Sequence, residues 1–453
     1  MRITGKAIFA LTTLSCLLLI EPVFPQPSGE WIGHISARNQ KLYFEFDFDK
    51  GRHGQMDIPE QNAFGLKIDT VISKEKSVRV IVDSTQLNLQ FNGNYHHKDS
   101  IKGSYTQPGI LGRFTLYRKK EVQEDVSWIN REVRFKNDTI RIAGTLSLPD
   151  TTDKHPAVIF ISGSGQHTRD VNIYGFEVFK KLAVPFIEAG FAVLRYDDRG
   201  AGETDPGNLK TADTRDFAKD TRAAFQFLEQ HPHIQAENIG LLGHSEGGMI
   251  APMVAKEQKP AFIILMAAPA VPGDQILISQ TKATMKANNI WQENINEAVN
   301  KNTIIYNELK KSEPDSSMVY EKLFETIAKQ STFIDSAKTS RQTKQQMEML
   351  MSPWFKFFIR YDPRPALEKL EIPVLALYGG KDVQIVKNVN KPVLDSLAQQ
   401  KKQNITVKVF PDANHLFQKS KSGSVQEYHK LPDKFINDFT EYIVGWSRKA
   451  IDQ

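Results

Sequence analysis

Residues 239–250 read Ile-Gly-Leu-Leu-Gly-His-Ser-Glu-Gly-Gly-Met-Ile, and this stretch decides how the rest of the chain is interpreted. A short apolar run predicts a strand that enters the pattern Gly-x-Ser-x-Gly, and an apolar, helix-compatible segment follows through Ala255. A serine hydroxyl becomes a useful nucleophile when a sharp strand-to-helix turn holds it clear of the backbone, and such a turn needs small neighbours. We therefore predict that Ser245 is a nucleophile. The alternative is a Gly-rich turn that only packs a helix against a sheet.

The segments on either side of this turn alternate between short apolar runs and helical patterns. Continuous apolar runs such as Ala157–Ile161 and Phe191–Tyr196 indicate parallel strands in a sheet covered by helices on both faces. This α/β core has a first part, residues 121–270, and a second part, residues 371–453. The second part ends in an amphipathic helix that is predicted to include Phe435–Trp446.

Residues 271–370 interrupt the alternation with a polar stretch rich in Lys, Glu, Gln, Asn and Met and without strand patterns. Their place between two strands predicts a helical lid, or cap, inserted at the C-terminal edge of the sheet, where it would limit substrate size. We expect aromatic residues such as Trp291 and Trp354 mainly to form the lid's own core.

Residues 27–120 show a period of two, as in Leu42–Phe48, where alternate residues are apolar. Many short strands separated by turn signals, including Asn92-Gly93-Asn94, predict a small antiparallel sandwich or barrel. His96 and His97 would point to opposite faces of a strand, so we favour a solvated loop over a metal site. This N-terminal β-domain is interpreted as a packing or binding module.

Residues 1–26 have the pattern of a signal peptide. Arg2 and Lys6 precede or flank the start of the apolar run Ala7–Ile20, which is short for a membrane span, and prolines follow. We expect cleavage and export to the periplasm or the medium, without stable membrane insertion; an uncleaved signal anchor is the alternative. Cys16, the one cysteine, lies in this segment, so the mature chain would have no disulfide, cysteine nucleophile or cysteine metal ligand.

The composition of the 453 residues is ordinary for a globular protein, with 25% charged and 10% aromatic residues. The formal charge of +5 is spread without a long basic run, which argues against nucleic acid as a partner. No motif for a metal, nucleotide or flavin is present, so no cofactor and no metal is expected.

Three reactive residues follow the ends of predicted strands: Ser245, Asp382 after Val374–Tyr378, and His415 after Ile405–Phe410. Open parallel sheets bind ligands at these ends, and the chain order Ser, Asp, His is that of the α/β-hydrolase arrangement. His415 would take the proton of Ser245 and later give it to the leaving group. Asp382 would orient the imidazole and stabilise its cation.

Other candidates have weaker claims on the same roles. His244 precedes the serine and is given a supporting role, because its side chain should point away from the reacting face. Asp412 lies close to His415 in sequence and is the best substitute for Asp382. The residues assigned to loop surfaces or to structural ion pairs beside the site are His167, His231, His233, Asp197 and Asp198.

Acyl transfer also needs two donors for an oxyanion. One is expected to be the backbone N–H of Glu246, the residue after the nucleophile. The other is expected from the Gly-rich loop Ser162–Gln166, with Ser164 as first choice and Gly165 as second. A phosphate-binding reading of this loop is disfavoured, because no Gly-Lys-Ser/Thr follows.

From about Ile140 to the C-terminus the chain resembles the secreted bacterial α/β-hydrolases, in particular carboxylesterases close to the serine aminopeptidase branch. The motifs that carry the resemblance are ISGSGQ, LRYDDRGAGET, GLLGHSEGGMIAP, PWFKFFIRYDP, LALYGGKD and FPDANHLF. The N-terminal stretches GEWIGHI, MDIPEQNAFGLKI and LQFNGNY resemble the small β-domain that often precedes such enzymes. The family's triad carries over to Ser245, Asp382 and His415. Gln166 departs from the pattern, since relatives often have proline there.

The resemblance implies an α/β-hydrolase fold and hydrolysis of acyl esters of modest size. We predict a serine carboxylesterase that forms an acyl-enzyme, with a small-molecule ester as substrate. The alternative is an exopeptidase with the same triad that acts on short peptides and holds a free amino group with lid carboxylates; by composition these are Glu313, Asp315, Glu321 and Glu325. A β-domain adhesin or binding module fused to an inactive hydrolase is a third possibility, against which the intact triad pattern argues.

Overall fold

The computed structural model describes residues 26–452, apart from 38–39, 49–53, 59–62, 83–87, 120–126, 312–322, 324–343, 345 and 402–403. The chain divides into two compact units, residues 1–121 and 122–453. The signal peptide predicted over residues 1–26, with Cys16, lies outside the described residues except for Gln26.

Strands of the first unit form a closed antiparallel barrel in which each strand pairs with the next and the last pairs with the first. They are β1 (Gly29–Ala37), β2 (Gln40–Phe48), β3 (Gly54–Ile58), β4 (Ala63–Lys74), β5 (Ser77–Val82), β6 (Leu89–His97), β7 (Ser100–Gln107) and β8 (Ile110–Arg118). Alternate side chains point inward, so Phe44, Phe46 and Phe48 are buried together in the core. The predicted antiparallel β-domain is therefore confirmed as a barrel.

The turn predicted at Asn92-Gly93-Asn94 is wrong, because these residues lie inside β6 and pair with β5 and β7. A Cβ atom on Gly93 would stand 2.7 Å from the ring of Phe114 and 2.9 Å from the side chain of Ile101. Glycine within a strand here permits close packing inside the barrel and does not reverse the chain.

The second unit contains a mixed eight-stranded sheet. Its strands are β9 (Ile129–Asn137), β10 (Ile140–Leu148), β11 (His155–Ile161), β14 (Ala192–Tyr196), β15 (Ile234–His244), β16 (Ile263–Met266), β17 (Val374–Gly379) and β18 (Ile405–Phe410); a small hairpin joins β12 (Asn172–Ile173) to β13 (Phe176–Glu177). The spatial order is β18-β17-β16-β15-β11-β14-β10-β9. All neighbours from β18 to β14 are parallel, whereas β10 runs antiparallel to both its neighbours.

The chain passes from β11 to β14 on one side and then crosses to β15 on the other side of β11. This reversal of strand order makes the carboxyl ends of β11 and β15 a switch point, where open parallel sheets bind ligands. The predicted oxyanion loop follows β11 and the predicted nucleophile follows β15, so the topology places both at this point.

The helices with given bounds in the second unit are α1 (Val178–Glu188), α2 (Thr214–Glu229), α3 (Gly247–Ala255), α4 (Gly273–Ala287), α5 (Gln292–Lys311), α6 (Pro353–Arg360), α7 (Arg364–Leu367), α8 (Lys387–Lys401) and α9 (Phe439–Ile451). Asp213 caps α2 through a capping box with Asp216, which fixes where that helix begins. Phe435 lies before α9 and not in it as predicted, since the helix begins at Phe439 after Asp438 in a left-handed conformation, φ 64°.

The described residues of the segment predicted as a lid form helices α4, α5, α6 and α7, joined by short turns and irregular stretches, and contain no strand. The expectation that its aromatics form a core holds in part: Phe355 and Phe358 are buried, but Trp291 is 83% exposed. The four lid carboxylates of the exopeptidase alternative, Glu313, Asp315, Glu321 and Glu325, lie outside the described residues.

Candidate active site

Ser245 stands in a strained turn between β15 and α3. Its φ is 54°, in the left-handed region that disfavours residues with a side chain. Its backbone N–H donates to the carbonyl of Met266 at 2.9 Å, which anchors the turn to the neighbouring strand. The flanking glycines are needed for space, because a Cβ on Gly243 would lie 2.1 Å from the carbonyl oxygen of Gly247, and one on Gly247 would lie 2.3 Å from that of Ile161. The sequence prediction of a tight strand–turn–helix is confirmed.

His415 and Asp382 are joined by a direct hydrogen bond, with 2.9 Å between Nδ1 and Oδ2, and both side chains are buried. The other carboxyl oxygen of Asp382 accepts from the backbone N–H groups of Gln384 and Ile385 at 2.8 and 2.9 Å. A carboxylate can only accept, so Nδ1 of His415 carries the proton and Nε2 is left as an acceptor. The imidazole is thereby held in the tautomer of a general base.

His244 links this pair to the serine turn. Its ring lies 4.7 Å from that of His415, centroid to centroid, and its Nε2 donates to the backbone carbonyl of His415 at 3.1 Å. Burial and the nearby His415 hold the pKa of His244 well below its ordinary value, so its ring is neutral. The side chain of His244 therefore lies against His415 and does not point away from the reacting residues as predicted; its supporting role stays a prediction. Among the described residues, Oγ of Ser245 makes no hydrogen bond.

Asp412, the predicted substitute for Asp382, is exposed, and Nδ1 of His415 is bonded to Asp382 instead. The two aspartates differ in position, since Asp382 follows β17 and its side chain turns inward, whereas Asp412 faces solvent. The structure therefore brings His415 together with Asp382 and not with Asp412.

The loop Ser162–Gln166 lies against the serine turn, because a Cβ on Gly163 would lie 3.1 Å from Cβ of Ser245. No hydrogen bond between described residues uses the backbone N–H groups of Glu246, Ser164 or Gly165. These are the three candidates for the two predicted oxyanion donors, and their N–H groups remain available to a ligand.

Asp198 supports this loop. Its carboxyl group accepts from the hydroxyl of Ser162 at 2.6 Å and from the backbone N–H of His167 at 2.9 Å. Burial raises the pKa of Asp198 to about 8. Sequence reasoning assigned Asp198 to an ion pair, but it binds the loop through neutral groups.

Residues next to Asp198 in sequence make the predicted ion pairs. Asp197 receives two bonds from the Arg169 guanidinium, at 2.7 and 3.0 Å, and Arg199 pairs with Asp220. His167, His231 and His233 are partly buried and not on open surface; Nε2 of His167 lies 3.0 Å from the carbonyl of Ser164. Thus this histidine also touches the loop beside the serine.

The side chain of Glu246 is the feature that sequence reasoning missed. It is 2% exposed and accepts hydrogen bonds from Ser164, Thr214 and Trp354. Its partners are distant in sequence, so no local pattern could have indicated them. A carboxylate directly after a nucleophile, within an otherwise apolar helix start, was the available signal.

The described residues contain no group of three or more His, Cys, Asp or Glu that could hold a metal ion. His96 and His97 are exposed at the end of β6, in a strand and not in the predicted loop. None of the described helices is both long and apolar enough to span a bilayer.

A family model described as "Serine aminopeptidase, S33" (Hydrolase_4) matches residues 152–420, more than half of the 453 residues. The chain belongs to this family. Its members are α/β-hydrolases, so the predicted fold and the predicted hydrolase are confirmed. The matched region of this α/β-hydrolase runs from the start of β11 past His415 and contains Ser245 and Asp382.

One relative and two solved structures are similar to this chain. Esterase EstD of Thermotoga maritima is 26% identical over 347 residues, which span 74% of this chain and 74% of that protein. The structure of the Pyrococcus furiosus esterase Pf2001 aligns with a TM-score of 0.45 at 13% identity, covering 74% of this chain and 95% of that one. Acetyl xylan esterase 1 of Thermoanaerobacterium sp. aligns with a TM-score of 0.42 at 13% identity, covering 73% and 86%.

Proposed function

We propose that this α/β-hydrolase cleaves carboxylic esters through an acyl-enzyme, with Ser245 as nucleophile, His415 as general base and acid, and Asp382 as the group that orients the imidazole. The observation that carries the proposal is the buried 2.9 Å bond between His415 and Asp382, together with a serine held at φ 54° whose neighbour in sequence, His244, contacts His415. The similarity to Esterase EstD supports an ester as the substrate class.

The proposed reaction follows from the tautomer of His415. Its free Nε2 takes the proton of Ser245 as Oγ attacks the ester carbonyl, and the buried Asp382 stabilises the resulting imidazolium. The imidazolium then protonates the leaving alcohol. Water repeats the sequence on the acyl-enzyme, giving the acid and restoring the serine.

The oxyanion of the tetrahedral intermediate is proposed to bind two backbone N–H groups, that of Glu246 and that of Ser164 or Gly165. Their lack of partners among the described residues supports this role, as does the contact of the neighbouring Gly163 with the serine turn. Fixed donors at the position of developing charge stabilise a transition state without reorganisation.

The test is hydrolysis of p-nitrophenyl acetate and butyrate by the wild type and by Ser245→Ala. We expect turnover by the wild type and a loss of about a thousandfold or more in kcat for the variant, because the nucleophile is removed. A folded Ser245→Ala protein with wild-type kcat would refute the proposal.

The family's description also names aminopeptidases, which favours testing an exopeptidase with the same triad as second candidate. Aminoacyl arylamides serve as the competing substrates. If the wild type cleaves them faster than the acetyl and butyryl esters, the triad proposal stands but the substrate class changes to short peptides with a free amino group.

A further inference from the structure

The carboxyl group of Glu246 joins three separate parts of the second unit. Oε2 accepts from the hydroxyl of Ser164 at 2.6 Å, and Oε1 accepts from the hydroxyl of Thr214 at 2.7 Å. The indole Nε1 of Trp354 donates to both oxygens, at 2.9 and 3.1 Å. Ser164 lies in the loop after β11, Thr214 begins α2, and Trp354 lies in α6 of the segment predicted as the lid.

No lysine, arginine or histidine among the described residues forms an ion pair with this buried carboxyl group, whose partners are two hydroxyls and an indole N–H. Burial raises its pKa, while the hydrogen bonds from Ser164, Thr214 and Trp354 favour the ionised form and oppose that shift. An unpaired buried carboxyl is costly, and an apolar side chain would fill the same space without that cost. Its arrangement therefore calls for a role beyond packing.

The position of Glu246 indicates a role in holding the proposed oxyanion donors in place. Its backbone N–H is one proposed oxyanion donor, and its side chain holds Ser164, whose loop supplies the other. The ring of the third partner, Trp354, lies tilted against that of Phe358, 5.6 Å away between centroids, and belongs to the hydrophobic packing of α6. A shift of α6 would thus pull on the same carboxyl group that fixes the oxyanion loop.

We infer that Glu246 is a positioning residue that couples α6 of the lid segment to the oxyanion loop, so that the geometry for the transition state depends on the indole N–H of Trp354. The inference rests on the proposed function. It concerns orientation only, since the carboxyl group touches no reacting atom and its oxygens are occupied by protein donors.

The main experiment is Glu246→Gln, which keeps the shape of the side chain. A glutamine amide has one acceptor oxygen, and its NH2 end opposes the indole N–H, which can only donate. We expect kcat for p-nitrophenyl butyrate to fall by about tenfold to a hundredfold with KM within about threefold, because misplacement affects the transition state more than substrate binding. An unchanged kcat in the folded variant would overturn the inference.

A second experiment avoids the buried acid and keeps the test decisive if Glu246→Gln does not fold. Trp354→Phe removes the indole N–H while keeping an aromatic ring, although a smaller one, and Ser164→Ala removes only the hydroxyl. If both act through one carboxyl group, the double variant loses about as much kcat as the worse single variant. If the fold losses in kcat of the two single variants multiply in the double variant, the two residues act independently, and the proposed coupling is refuted.

Trp446→Phe is the matched control, since Trp446 also donates through its indole, to Thr406 at 3.3 Å, but lies on α9 against β18. We expect it to leave kcat unchanged, with melting temperatures recorded for every variant. Ser245→Ala is measured in parallel. A loss of activity there with no effect of Glu246→Gln refutes only the positioning role, whereas retained activity there refutes the proposed function itself.

Discussion

The barrel of the first unit and the second unit, called the sheet unit below after its eight-stranded sheet, differ in the polar groups that they bury. Among described residues of the barrel, the core is apolar and aromatic, and Ser100 is its one buried side chain of the polar or charged class. In the sheet unit there are many buried polar side chains, and several lie at or after the ends of parallel strands: Asp197 after β14, His244 and Glu246 around the serine turn, Asp382 after β17, and Asn414 and His415 after β18.

This difference separates a core that serves packing, in the barrel, from buried polar groups suited to chemistry, in the sheet unit. An apolar core gains free energy from burial alone, whereas a buried acid or imidazole reduces stability unless it is hydrogen-bonded. The sheet unit carries these groups where the topology creates a binding site. Variants at the site of the sheet unit should therefore lower activity, whereas variants in the barrel core should lower the free energy of unfolding.

The largest effect is expected for Asp382→Asn. The asparagine can still accept from Gln384 and Ile385, but its NH2 group then faces Nδ1 of His415 and forces the proton to Nε2. The imidazole can no longer take a proton from Ser245, so we expect kcat for p-nitrophenyl butyrate to fall by about ten-thousandfold.

The exposed Asp412→Asn is the control for that variant, and we expect its kcat to match the wild type. An equal loss in both would mean that the second aspartate also acts on His415 and that the buried pair does not explain activity.

The barrel is predicted to respond through stability. Phe91 packs against Phe44, Phe46, Tyr105 and Phe114, with ring centroids 5.1 to 5.3 Å apart. Phe91→Ala leaves a cavity among these rings and should lower the free energy of unfolding by about 3–5 kcal/mol, measured by urea denaturation.

Leu111→Ala removes an apolar side chain from the same barrel that is 72% exposed, and it should change the free energy of unfolding by about 0.5 kcal/mol or less. If the two barrel variants lost stability equally, the aromatic cluster would not be the source of the barrel's stability.

The sequence predicted the features that depend on local pattern. A period of two predicted an antiparallel sandwich or barrel, and apolar runs predicted the parallel strands. The ends of those strands pointed to Ser245, Asp382 and His415, because a strand places its last side chain at a known edge of the sheet. Chain order alone could not choose between Asp382 and Asp412; that choice needed the direction in which each side chain points.

The sequence did not predict the features that depend on contacts between distant residues. The bonds of Glu246 span 82 residues to Ser164 and 108 residues to Trp354, and periodicity carries no information at that range. Gly93 has the composition of a turn residue, yet its role is to make room for Phe114 across the barrel. Predictions from local sequence patterns failed where tertiary packing determines the role of a residue.

The smallest effect concerns the pH dependence of stability in the sheet unit. Burial raises the pKa of Asp198 to about 8, with Asp197 and Asp220 adding to the shift, so its carboxyl group is protonated in the folded state at neutral pH and ionised in the unfolded state. The folded state then binds more protons, and stability falls as pH rises from about 4 toward 8. Asp198→Asn can still accept from the backbone N–H of His167 through its side-chain oxygen, and its NH2 group can donate to the hydroxyl of Ser162, which reverses the direction of that hydrogen bond; the variant has no titrating proton. Between about pH 5 and 7 we expect the variant to remove about 2–3 kcal/mol of the wild-type decline in the free energy of unfolding, measured by urea denaturation. A decline as steep in Asp198→Asn as in the wild type would show that other groups set this slope, and the support of the oxyanion loop by Asp198 would then not depend on its proton.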